Sequence, residues 1–238
     1  MKLAGPATSV RNPAWGKDGA SIVFESDANS FRDLYAVARE GGEARRLTDA
    51  QHGSFEPAVS PDGARVALGT SRDGNAEIYV MGADGSAPVR ITNDGSDDVR
   101  PRWSPDGTVL SWISSRGGVP RVWRAGPDGA NARPVRPASG VDLDQVWSPK
   151  GDRLAVVVQT GPSEVRIEIV DPAGGDVVAT LDAPGVDEQP AWSPDGGWIA
   201  FTSARGGSAD VWVARADGTD LRQVTTDPAP EWLPRWVP

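Results

Sequence analysis

The chain contains no cysteine and a single histidine, His52. The first absence excludes disulfides and thiolate metal centres, and the two together leave no ligand set for a structural zinc site. A Ser-His-Asp triad would have to use His52, and no Gly-x-Ser-x-Gly elbow accompanies it. His52 therefore reads as an exposed loop residue, and no catalytic residue is assigned. There is no basic track either: 24 Lys and Arg stand against 33 Asp and Glu, a net charge of −9. Neutralising a phosphate backbone needs clustered cations, so nucleic acid is excluded as a partner and anionic membrane surfaces are unfavourable. No apolar run approaches the length of a membrane span, and Met1–Pro6 lacks the apolar stretch of a secretory signal. No helical hydrophobic period of useful length occurs.

What the chain has is repetition. Asn12-Pro13-Ala14-Trp15, Glu56-Pro57-Ala58-Val59, Arg100-Pro101-Arg102-Trp103, Asp144-Gln145-Val146-Trp147, Gln189-Pro190-Ala191-Trp192 and Leu233-Pro234-Arg235-Trp236 are copies of one segment. Their last positions (15, 59, 103, 147, 192, 236) are spaced by 44, 44, 44, 45 and 44 residues. Three copies run on into Ser-Pro-Asp-Gly, where Pro presets one turn position, Gly relieves another, and Asp62, Asp106 and Asp195 serve the turn. An aliphatic strand b follows (Val66-Ala67-Leu68, Ile199-Ala200-Phe201), then a polar loop, strand c (Ile78-Tyr79-Val80, Val211-Trp212-Val213), a Gly turn and a short strand d (Arg90-Ile91-Thr92, Gln223-Val224-Thr225). Four short strands per repeat of this length predict an all-β propeller, one blade per repeat. The repeats run approximately 11–54, 55–98, 99–142, 143–187 and 188–231, with a terminal closing strand at 233–238, all in one domain, 1–238. The recurrent tryptophans are expected between blades.

Pro-x-Trp-Ser-Pro-Asp-Gly, Ser-x-Arg-x-Gly (Ser114–Gly118, Ser203–Gly207), Ile-Tyr-Val, Ala-Asp-Gly and Arg-x-Leu-Thr resemble the TolB-like propeller repeat, which is similar to repeats in the propeller domains of prolyl oligopeptidase relatives. The resemblance covers residues from about 11 to the end. It implies a binding rather than a catalytic role, a periplasmic or otherwise extracytoplasmic setting, and lipoprotein and Tol partners. TolB-like rings have six blades, one of them closed by joining a C-terminal strand a to N-terminal strands b, c and d. Here five blades are followed by an extra C-terminal strand, and Met1-Lys2-Leu3 is spaced like the stub of a preceding strand d. Two readings follow: five-sixths of a six-bladed ring cut from a longer parent, or a five-bladed ring with a spare strand. An open edge would make the chain prone to self-association.

Candidate site residues come from the variable ends of the repeats. The d-to-a and b-to-c loops should share one face. They supply Phe31, Arg32, Phe55, Glu56, Arg72, Arg100, Arg116, Arg205 and Trp232, and Arg and aromatics are the usual anchors of binding hot spots. The arginines have a second reading as braces paired with acids of neighbouring blades. Asp98, Asp142, Asp187 and Glu231 recur three positions before the strand-a Pro or its equivalent, and as an arc at the channel mouth they would hold a cation such as Ca2+ or dock a basic partner. No other cofactor is expected. The functional expectation is a scaffold that binds protein or peptide through this loop face. The alternatives are the propeller domain of a prolyl-oligopeptidase-like hydrolase and a glycan- or calcium-binding propeller.

Overall fold

The computed structural model describes residues 9–29, 31–181 and 185–237. It is built of twenty strands in five antiparallel sheets, each sheet ordered a-b-c-d. The first blade comprises β1 (Val10–Trp15), β2 (Ser21–Asn29), β3 (Phe31–Ala38) and β4 (Arg45–Arg46). The second comprises β5 (Ser54–Val59), β6 (Arg65–Thr70), β7 (Glu77–Gly82) and β8 (Val89–Arg90). The third comprises β9 (Asp98–Trp103), β10 (Leu110–Ser114), β11 (Arg121–Ala125) and β12 (Arg133–Pro134). The fourth comprises β13 (Val141–Trp147), β14 (Leu154–Gly161), β15 (Glu164–Val170) and β16 (Val177–Leu181). The fifth comprises β17 (Asp187–Trp192), β18 (Trp198–Ser203), β19 (Asp210–Arg215) and β20 (Arg222–Gln223). A one-turn 3-10 segment, Lys17–Gly19, joins β1 to β2. The expected propeller is thus the observed fold. The proposed strand stub at residues 1–3 lies outside the described residues.

The chain divides into two compact units, Met1–Gly117 with Arg124–Ala132, and Gly118–Trp123 with Arg133–Pro238. Each has its own core. In the first unit Val23 and Leu34 of one blade pack with Val66, Leu68, Tyr79 and Met81 of the next. In the second, Val157, Ile167, Ile169 and Leu181 pack with Trp192, Ile199 and Phe201. Removing such side chains from water contributes about 1.5–3 kcal/mol each.

The turn after strand a works as its residues predict. Ser60 accepts from Arg65 N (2.9 Å) while Asp62 accepts from Ala64 N (3.0 Å), and the Ser104/Asp106 and Ser193/Asp195 turns repeat the scheme. The serine hydroxyl, first among the influences, holds Asp62, Asp106 and Asp195 below the usual carboxylate pKa. In the fourth blade, where Lys150 replaces the aspartate, Ser148 donates to Asp152 instead (2.9 Å). Gly85 turns at φ +84°, and a Cβ there would lie 2.6 Å from the Leu47 carbonyl, so the c-to-d turn admits only glycine.

Outside the fourth blade, whose β16 runs five residues, strand d is shorter than the three residues expected. In the first, second and fifth blades only two residues pair with strand c, because the threonine of the motif takes over as acceptor: Leu34 N donates to Thr48 Oγ1, Ile78 N to Thr92 Oγ1 and Val211 N to Thr225 Oγ1, each at 2.9 Å. Residues 233–237 occupy the place of a strand a without a ladder partner among the described residues. Trp236 still donates its indole to Ala191 O (2.9 Å), as Trp103 does to Ala58 O and Trp192 to Val146 O (both 3.0 Å). Burial of the column is uneven: Trp103 and Trp192 are 8% exposed, Trp15 is 59% exposed.

Candidate functional site

Strand a begins where strand b ends: Asp98 is opposite Ser114, Ser54 opposite Thr70, and Asp187 opposite Ser203. Within each blade the d-to-a and b-to-c connections therefore emerge at one end. Phe31 belongs to β3 rather than to a loop, because the first b-to-c connection is a tight hairpin between Asn29 and Phe31. Phe55, Glu56, Asp98, Arg100, Asp142 and Asp187 likewise lie in strand a rather than before it.

Strand a reaches back this far through a bulge. The register shifts between Arg11 and Ala14, Phe55 and Ala58, and Glu188 and Ala191. The residue before each proline is left-handed: Asn12 (φ 46°), Glu56 (53°), Arg100 (55°), Gln189 (58°) and Leu233 (57°). Proline costs no ladder bond at a bulge, which is why the repeat tolerates it in mid-strand. In the fourth blade Gln145 stands for proline, and the shift falls between Asp142 and Asp144.

The bulges link successive blades. Within the first unit, Asn12 Nδ2 donates to Glu25 Oε1 (2.6 Å), Glu56 N donates to the same oxygen (2.5 Å), and Arg100 N donates to Glu56 Oε2 (2.7 Å). The Arg100 guanidinium is 3.7 Å from Glu56 Oε1. Burial pushes the Glu56 carboxyl pKa upward, opposed by the Arg100 backbone bond and charge. Arg32 lies 3.7 Å from Glu25 and 5.3 Å from the centre of the Phe55 ring, and Phe55 covers Gly69. Phe31, 48% exposed, stands 6.2 Å from the His52 ring. Five predicted residues, Phe31, Arg32, Phe55, Glu56 and Arg100, thus meet here with His52. Glu25 escaped the sequence reading; its signal was an acid directly following the apolar run Ile22-Val23-Phe24.

The remaining predicted residues are placed differently. Arg72 stacks on Tyr79 (4.6 Å). Arg116 pairs with Asp94 (2.7 Å) and Asp98 (2.8 Å). In the second unit Arg205 pairs with Asp187 and lies over Trp212 (4.8 Å). Asp142 accepts from Arg136 (2.8 Å) and from Val122 N (2.7 Å). Asp98, Asp142 and Asp187 are buried, and the two Asp–Arg pairs at the b-to-c loops form within a blade, 18 residues apart. Glu231 accepts from Thr225 (2.8 Å), and Trp232 beside it is 55% exposed. Among the described residues no group of three or more His, Asp or Glu is placed to hold a metal ion.

The family pattern described as the TolB beta propeller domain matches residues 47–178 and 137–238. Among solved structures, TolB from Acinetobacter baumannii is 25% identical with a TM-score of 0.77, covering 96% of this chain and 57% of its own. A puromycin-hydrolyzing peptidase of Mycobacterium tuberculosis is 19% identical with a TM-score of 0.77, covering 94% of this chain and 38% of its own. The uncharacterized peptidase YuxL of Bacillus subtilis is 43% identical over 47 residues, 19% of this chain and 7% of that protein. The chain thus spans little more than half of that TolB and much less of the two peptidases.

Proposed function

The chain belongs to the TolB β-propeller family, and from that footing we propose that it is a non-catalytic scaffold binding a protein or peptide at the end of the blades where the d-to-a and b-to-c connections meet. The observation that carries this is the surface formed by Phe31, Arg32, His52, Phe55, Glu56 and Arg100. It combines an exposed aromatic, cations held in place by acids, and backbone locked by the bulge bonds. Rigid aromatic and Arg groups lose little freedom on association, which suits a hot spot. Trp232 and Leu233, both more than half exposed, offer a similar apolar pair in the second unit. We assign Asp98, Asp142 and Asp187 to bracing, since each meets an arginine within its own unit.

Panning a random peptide display library on the full chain should enrich peptides whose affinity drops about 10- to 30-fold in Phe31→Ala and in Arg32→Ala, the loss of a hot-spot contact. Both side chains are half exposed, so folding should be unaffected. Selected peptides that bind both variants as well as the parent would refute the proposed face. A second reading, support for a larger hydrolase by a propeller of this kind, draws on the likeness to the two peptidases. Turnover of a chromogenic peptide by the intact parent protein would favour it.

A further inference from the structure

The tryptophan column has one gap. The repeat carries Val59 at the position held by tryptophan in every other copy. One repeat later, the Trp103 indole donates to Ala58 O and lies under the Arg65 guanidinium (4.6 Å). Shifting by 44 residues places the missing indole against the Ala14 carbonyl and beside Ser21. Valine is too short to fill that space, and a cavity of about 450 Å3 occupies it, lined among others by Gly16, Ser21, Val23, Ala36, Val59 and Ala83. Its floor is continuous with the apolar cluster of the first unit, and Lys17, Arg45 and Glu43 also line it. The volume lies within the roughly 300–1,000 Å3 of small-molecule sites.

We propose that this cavity is a binding site for a small planar heteroaromatic of the indole type, its ring lying between Val59 and Ser21 where the repeat elsewhere seats a tryptophan. The occupant is defined by the molecule itself: Trp103, Trp192 and Trp236 each place an indole N–H on the carbonyl of the equivalent residue in the preceding blade. The cavity exceeds an indole ring and leaves room for a short substituent. Two cations against one carboxylate at the lining favour an anionic substituent over a cationic one. This site is separate from the peptide-binding face and does not depend on it.

Indole-3-acetate titrated into the full chain by calorimetry should bind one-to-one, with a Kd on the order of 0.1–1 mM for a ligand of this size. Val59→Trp should restore the column, raise the melting temperature and weaken that binding more than about tenfold, leaving selected peptides bound as before. Absence of saturable binding to the parent chain up to about 10 mM, a hundredfold above the tight end of that range, would overturn the proposal. So would undiminished binding to Val59→Trp. If Val59→Trp fails to fold, Ala83→Leu narrows the opposite wall, and unchanged affinity in that variant would be equally fatal.

Discussion

Replacing Arg136 by methionine is expected to cost about 3–5 kcal/mol of folding stability, the usual penalty for removing one partner of a buried ion pair. Arg136 is 2% exposed and serves two equally buried carboxylates: Nη2 donates to Asp142 (2.8 Å), and Nε lies 2.9 Å from Glu168. Methionine matches its length but leaves Asp142 the Val122 N–H in place of the lost guanidinium. At roughly 2–4 °C per kcal/mol for a chain of this size, the melting temperature should fall by about 6–20 °C. The deficit should also depend on pH. Burial pushes the Asp142 pKa upward, and Arg136 is the main opposing influence. A carboxyl whose folded pKa exceeds its unfolded value stabilises the fold less as pH rises between the two. Without Arg136 that upward displacement grows, so the deficit should narrow as pH falls from neutrality toward the unfolded range of about 4. Asp142→Asn added to Arg136→Met keeps an acceptor for Val122 and removes the stranded charge, and should recover part of the loss. A pH-independent deficit, or none, would show that the arginine is not the charge partner the structure makes it.

Trp192→Ala should cost about 3–5 kcal/mol, since the indole both fills space between blades and occupies the Val146 carbonyl. Trp15→Ala, at the same position of the repeat but 59% exposed, should cost under about 0.5 kcal/mol. The contrast matters more than either value. Both residues sit in the same sequence motif, and among the described residues only the Trp192 ring is received by a carbonyl of another blade. Equal costs in chemical denaturation would mean that the motif, and not the contact between blades, sets the stability.

The blades were legible because each signal repeats: the Ser-Pro-Asp-Gly turn, the apolar strand b and the tryptophan column recur at a fixed step, so errors in one copy are corrected by the others. The bulge was not. A residue before proline is ordinarily extended, so nothing local announced left-handed Asn12, Glu56, Arg100 and Gln189. The clue lay in proline in mid-strand, which an uninterrupted ladder would not accept. The two-residue strand d was missed for a related reason: Thr48, Thr92 and Thr225 substitute side chain for backbone, and periodicity does not reveal that.

At the candidate site, the residue types were legible and their grouping was only partly so. Arg116 and Arg205 share the Ser-x-Arg motif and pair with acids 18 positions earlier in their own blades, Asp98 and Asp187. Spacing within a repeat cannot by itself distinguish that from pairing with the next blade, because strand pairing within a blade and stacking between blades bring both within reach. Glu25 was hidden because the other repeats carry no acid at its position (Gly69, Ile113, Val157, Thr202), so it has no periodic signal. Its importance comes from meeting Asn12 in its own blade and Glu56 of the next blade.

The claim beneath both the fold and the proposed binding face is that, within each unit, indoles of the repeat such as Trp103 and Trp192 lock a blade to the one before it. Hydrogen exchange of the indole N–H groups, followed by NMR on 15N-labelled chain with peaks assigned by single substitutions, tests it directly. Trp103 and Trp192, bonded to Ala58 and Val146, should exchange at least about a hundredfold more slowly than Trp15, as expected for groups that open only with the surrounding structure. Exchange of all three at the rate of Trp15 would contradict the account.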